Sequence, residues 1–132
     1  MSDTTGFGET AAQSAVENIT DGGIEILLAT TAVNYTDSAT DIDTKTDASE
    51  TVTEANVTIT PPADFSGTVD LTNDNAVEFG ALSIGVVEEV VIRSQTDNEQ
   101  WVLADETNNP ELTGEEYTIE ADTVLYSLGN VV

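Results

Sequence analysis

The stretch GVVEEVVIRS, residues 85–94, decides the class of fold. Val90, Val91 and Ile92 follow one another with no polar residue between them, so an extended chain here is apolar on both faces. Such a strand belongs inside a sheet and needs cover on both sides, whereas a half-solvated strand alternates apolar with polar. Reading 85–94 as one central strand orders its surroundings. TDNE (96–99) is a hairpin turn by composition, with Asp97 and Asn98 able to take positive φ, and QWVLADE (100–106) is the returning partner. A second strand of this kind, IEILLATTA (24–32), sets Ile24, Ile26 and Leu28 on one side and Leu27 and Ala29 on the other.

Away from these two runs the period-two pattern is plain. EANVTIT (54–60) places Ala55, Val57 and Ile59 inward and Asn56, Thr58 and Thr60 outward, until Pro61-Pro62 ends it. Phe65 anchors the turn ahead of GTVDLT (67–72), where Val69 and Leu71 alternate with Asp70 and Thr72. NAVEFGAL (75–82) carries Val77 and Phe79 on one face, and EYTIE (116–120) and TVLYSL (123–128) supply the last two strands. Residues 10–20, TAAQSAVENIT, read as helix. Ala12, Ala15, Val16 and Ile19 recur at helical intervals, Thr10 and Gln13 have capping-box spacing, and Gly22-Gly23 closes the element. The expectation is an all-β fold, an antiparallel β-sandwich or flattened barrel of about eight strands with one short N-terminal helix on a sheet edge. Residues 1–132 form one domain, with an N-terminal arm at 1–9 and an acidic loop at 33–50.

The charge balance excludes whole classes of chemistry. Of 132 residues 26 are acidic and 2 basic, for a net charge of −24, and there is no histidine or cysteine. The chain therefore lacks the residues for a structural zinc site, a Ser-His or Cys-His nucleophile pair, an iron-sulfur ligand set or a disulfide. With Lys45 and Arg93 as its only cations it is expected to bind neither nucleic acid nor an anionic membrane. The start MSDTTGFGET has no basic n-region and no apolar h-region, so no secretory precursor and no membrane span is expected.

A nucleic-acid mimic, a calcium binder and a surface built for brine are three readings of so much acid. Glu88-Glu89, Glu115-Glu116 and the pair Asp41 and Asp43 place like charges within roughly 7 Å of each other. That separation lies inside the Debye length of about 8 Å at physiological salt and well outside the length of about 3 Å at 1 M, so the repulsion vanishes only in concentrated salt. The expected source is a halophilic archaeon or one of its viruses. Asp41, Asp43 and Asp47 are weak metal candidates, because loop 33–50 lacks both the turn glycine and the twelfth-position Glu of an EF-hand. The loop is expected to be solvated, with no cofactor or metal.

Other signals are sparse. Among 26 acids, chance carboxylate pairs are inevitable, so nothing points to glycosidase-like chemistry and no enzymatic activity is expected. Trp101 belongs to a core or an interface. Asn-x-Thr sequons stand at Asn18, Asn34 and Asn56, against roughly two expected by chance among nine asparagines in a chain about one-fifth Ser and Thr. Arg93 is expected to pair with a carboxylate of its own chain or of a neighbouring subunit. Phe7, Val131 and Val132 are the apolar groups most available for contact outside the domain.

FGALSIGVVEEVVIRS (79–94), a polar turn, WVLADE (101–106) and LTGEEYTIEADTVLYSL (112–128) together resemble small virion proteins of tailed bacteriophages. There a G-x-V-x-x-V-x-L-like strand, a short hairpin and a terminal L-x-x-G-D-x-x-x-I-x-A-x-x-L-x-x-S-L segment close the fold. The short helix, the Gly-Gly-Ile-x-Ile strand and the acidic loop follow the same order as in those proteins. This chain departs from them in its long Thr- and Asp-rich loop and its single Arg. The resemblance implies a head-decoration, turret, collar or tail component, contacting the major capsid protein, other virion proteins and copies of itself. Its place would be in the virion, assembled in the cytoplasm of a halophilic archaeon. Charge alone leaves open an acidic cellular binding module or a DNA-mimic inhibitor.

Overall fold

In the computed structural model, which describes residues 6–61, 67–104 and 109–131, the two doubly apolar runs lie side by side. The elements in chain order are α1 (Glu9–Thr20), β1 (Ile24–Ala29), α2 (Ala39–Lys45), β2 (Thr46–Val52), a 3-10 turn (Glu54–Asn56), β3 (Val57–Thr60), β4 (Gly67–Asn73) and β5 (Val77–Leu82). They continue with β6 (Gly85–Val86), β7 (Glu89–Ser94), β8 (Trp101–Leu103), β9 (Glu111–Leu112), β10 (Glu115–Ile119) and β11 (Val124–Val131). All pairings are antiparallel. One sheet has the order β2-β1-β7-β8, with Ile26 opposite Ile92 and Glu25 opposite Arg93. Against it lie β11-β4-β3 and the ribbons β10-β5 and β6-β9.

The main core fills the space between these layers. Ile24, Ile26 and Leu28 of β1 and Val90 and Ile92 of β7 meet Val69 and Leu71 of β4, Val77 of β5 and Leu125 of β11. Period two makes this possible, because each of these strands sends alternate residues to the same side. Phe79 and Tyr117 pack edge to face across β5 and β10, ring centres 5.4 Å apart. α1 buries Ala12, Val16 and Ile19 in this core and touches β3, β4, β7 and β11. It therefore fills space between the layers, where the sequence reading placed it on a sheet edge. Among the described residues no helix is long and apolar enough to cross a membrane.

Several local expectations are corrected. The all-β class and the antiparallel pairing hold, with eleven strands among the described residues in place of about eight and two helices in place of one. Run 85–94 is interrupted: Val87 N–H donates to Pro110 O and Glu88 N–H to Ala29 O, which splits it into β6 and β7. The capping box falls at Ser38 and Asp41 on α2, while α1 starts from Gly8 with no side-chain cap and holds Thr10 inside its first turn. Ala55 is exposed on the 3-10 turn. Asp97 and Asn98 do not adopt positive φ; among described non-glycine residues only Asp122 does. Instead, buried Ser94 Oγ accepts from the Thr96 and Asp97 N–H groups, at 3.2 and 3.1 Å, and closes the hairpin with ordinary φ. Phe65 lies outside the described residues.

Loop 33–50 carries the largest revision, because it contains α2 and all but two residues of β2. The physical demand came from the other face of β1 and β7. Leu27, Ala29 and Val91 point away from the main core, and Val33, Ile42 and the half-buried Trp101 cover them in a second cluster. Ile42 is fully buried.

Gly23 turns the chain from α1 into β1 at φ +99°. A Cβ there would sit 2.9 Å from Val52 O, a backbone atom that cannot yield. Gly23→Ala is expected to cost about 2–3 kcal/mol, from left-handed strain plus this clash. Gly80→Ala, also at positive φ but with open space around it, is expected to cost about 1 kcal/mol. Denaturant midpoints of both variants in molar salt check the order.

Candidate functional site

The polar chemistry gathers where the 33–45 segment covers the outer face of the four-stranded sheet. Glu25 and Arg93 stand directly opposite on β1 and β7, so their side chains project to the same side of the sheet. Arg93 donates from Nε and Nη2 to Glu25 Oε1, at 3.1 and 2.7 Å, and from Nη1 to Asp43 Oδ1 of α2 at 2.8 Å. Arg93 is 5% exposed, and it is the only buried charge among the described residues. Burial works against its charge, but the hydrogen bonds it donates to Glu25 and Asp43 outweigh that burial and hold the pKa above the usual guanidinium value. The carboxylate partner expected for Arg93 is thus found within the chain. Its Nε, Nη1 and Nη2 donors are engaged within the chain, beneath α2.

Lys45 is used on the same segment. Its Nζ lies 2.6 Å from Asp37 Oδ2, which also accepts the Asn34 N–H at 2.9 Å. The Lys45 hydrogen bond first, and the Asn34 amide second, hold the Asp37 carboxyl below its ordinary 3.8. Trp101 Nε1 donates to Asp37 O at 3.2 Å, Glu99 Oε1 accepts from Ala39 N–H, and Glu89 Oε2 accepts from Val33 N–H. Arg93 therefore ties the cover segment to the sheet, and Lys45 braces that segment internally.

A carboxylate held below its ordinary pKa contributes stability above the unfolded value and loses it as pH falls through the folded one. The melting temperature of Asp37→Asn should fall below that of the native chain by a constant gap above about pH 5, and the gap should close as pH drops below 3.8. A melting series between pH 3 and 7 in molar salt checks this.

The three aspartates considered for a metal are dispersed. Asp41 Oδ2 accepts from Ser38 N–H in the α2 cap, Asp43 pairs with Arg93, and Asp47 accepts from Thr30 Oγ1. Among the described residues no group of three acids converges as a metal site. An open groove beside the triad is lined by Glu25, Asp43, Asp47, Ser49 and Arg93. Phe7 is 42% exposed and forms an isolated β-bridge. Val131 pairs with Gly67 through the backbone, while its side chain and Val132 lie outside the described residues.

Sequence reasoning missed Asn73, which is fully buried at the end of β4. Its Nδ2 donates to Asn75 O and Glu120 O, both at 2.8 Å, and its Oδ1 accepts from Thr123 N–H at 3.1 Å. The signal was present in the register, since Val69, Leu71 and Asn73 share one parity and therefore one face. An amide at the inward position of a strand end supplies donors and an acceptor to two turns at once.

Comparison of the chain with protein-family models, with curated proteins and with solved structures finds no match.

Proposed function

We propose that this protein is a non-enzymatic structural component of a halophilic tailed-virus particle, a capsid-surface decoration or turret by preference and otherwise a collar or tail part. The observation that carries the reading is where the phage-like segments fall. Residues 79–94, 101–103 and 112–128 run through β5 to β11, so they form one continuous half of the fold, and Val87, Val90, Ile92, Leu112 and Leu125 of those segments line its core. The shared pattern is then a folding pattern of consecutive strands and turns, as expected where a likeness reflects architecture. The acidic surface supports the habitat: no carboxylate among the described residues is buried, and both cations are spent inside the molecule. Particles standing in brine need many copies of small, highly charged domains that meet neighbours through edges and termini.

Gel analysis and mass spectrometry of purified virions from a lysed halophilic culture test the proposal. The chain should appear in many copies per particle. Its presence in host cells together with its absence from particles would overturn the reading in favour of an acidic cellular binding module or DNA mimic. Phe7, Val131 and Val132 are the proposed contacts to the major capsid protein or to other copies. Deleting residues 1–8 should abolish incorporation while shifting the monomer melting temperature by only a few degrees. Normal incorporation with a much lower melting temperature would make the arm part of the domain's own core.

A further inference from the structure

We propose that Asn34 is a glycosylation acceptor of this chain, taking a sugar from a donor activated by an anomeric phosphate. The three Asn-x-Thr sequons are equal in sequence and unequal in structure. Transfer requires the asparagine amide nitrogen to reach the sugar and the threonine hydroxyl two residues on to be recognised, so both side chains have to be free and exposed.

Asn18 fails this requirement. It lies in α1, and Thr20 is 3% exposed with its hydroxyl donating to Glu17 O. Freeing that hydroxyl means unwinding the turn that seats Ile19 in the core. Asn56 fails differently, because its side-chain nitrogen and the Thr58 hydroxyl are both engaged. Its Nδ2 donates to Thr53 Oγ1 at 3.0 Å, its backbone carbonyl accepts from Asp74 N–H, and the Thr58 hydroxyl donates to Asp74 Oδ1 at 2.6 Å within paired β3.

Asn34-Tyr35-Thr36 stands outside every helix and strand, with all three residues exposed and Tyr35 94% exposed. The turn is held without its sequon side chains: Asp37 N–H donates to Asn34 O, Asn34 N–H donates to Asp37 Oδ2, and Lys45 and Trp101 fix Asp37. Among the described residues no hydrogen bond uses the Asn34 side-chain amide or the Thr36 hydroxyl. The folded domain therefore presents acceptor and recognition groups on a rigidly anchored turn, where an attached sugar displaces no core contact.

In the transfer, Asn34 Nδ2 bonds to the anomeric carbon and the bond from that carbon to the phosphate oxygen breaks. The phosphate leaves with the electron pair, and the amide proton passes to the transferase base. A nucleotide-linked donor delivers one sugar and a lipid-linked donor delivers a chain.

The full chain, produced in a halophilic archaeon whose own surface proteins carry N-glycans, is tested by intact mass and peptide mapping. The expected result is added sugar on the peptide containing Asn34, lost in Asn34→Gln and Thr36→Ala and kept in Thr36→Ser, Asn18→Gln and Asn56→Gln. One added sugar identifies a nucleotide-linked donor and a longer chain a lipid-linked one. Unchanged melting temperature in Asn34→Gln keeps folding out of the result. A mass equal to that of the bare chain, or sugar mapped only to Asn18 or Asn56, overturns the proposal.

Discussion

Raising NaCl from about 0.1 M to about 3 M is expected to raise the melting temperature by roughly 10 °C or more, most of it gained below about 1 M. Two like charges about 7 Å apart repel by about 0.6 kcal/mol even at the dielectric constant of water. With a net charge of −24 and adjacent carboxylates on exposed positions, on the order of ten such contacts amount to several kcal/mol. That is a large fraction of the roughly 5–15 kcal/mol that holds a domain together. No surface cation among the described residues offsets it, since Lys45 and Arg93 are committed to Asp37, Glu25 and Asp43. A flat melting temperature across this range would refute adaptation to brine. A rise produced by millimolar Ca²⁺ alone would return attention to Asp41, Asp43 and Asp47.

Arg93→Met is expected to destabilise the protein by about 2–4 kcal/mol, and the loss should persist in 3 M salt. Removing one partner of a buried pair costs about 3–5 kcal/mol because the remaining charge stays desolvated. Here the figure is discounted, because the Glu25 and Asp43 side chains keep 24% and 59% of their exposure and recover water. Arg93→Lys should rescue little, since one ammonium cannot reproduce the planar fork that spans a neighbouring strand and α2. In a double-mutant cycle, Glu25→Gln combined with Arg93→Met should cost less than the two single losses added together. Additive losses would mean that the pair is not coupled. Melting of the four proteins at one high salt concentration decides it.

Much of the layer structure was legible in the residues. Ile24, Ile26 and Leu28 against Leu27 and Ala29 announced a strand buried on both faces, and Val90, Val91 and Ile92 announced its neighbour. Composition likewise determined that carboxylates cover the outside, because 26 acids and 2 bases leave no arrangement in which most acids are paired. The helix α1 was legible from the spacing of Ala12, Val16 and Ile19, though its first residue was not, since Gly8 caps it without a side chain.

What the sequence could not determine is which segment answers each demand. Two apolar faces on β1 and β7 require two covers, and a local pattern cannot say where along the chain the second one lies. Segment 33–50 looked like a solvated loop because its apolar content is mainly Val33 and Ile42, and local periodicity is silent on so few residues. Tertiary structure decided that these few suffice, because Ile42 meets a sheet face already formed by residues distant in sequence. The same holds for the charges. That Arg93 would seek a carboxylate followed from its chemistry, but the choice of Glu25 and Asp43 was made by strand register and by the position of α2, which bring residues 68 and 50 positions away within hydrogen-bond reach. Short-range pattern thus determined which faces are apolar and which residues are charged, while long-range closure, which carries no local signature, determined what lies against them.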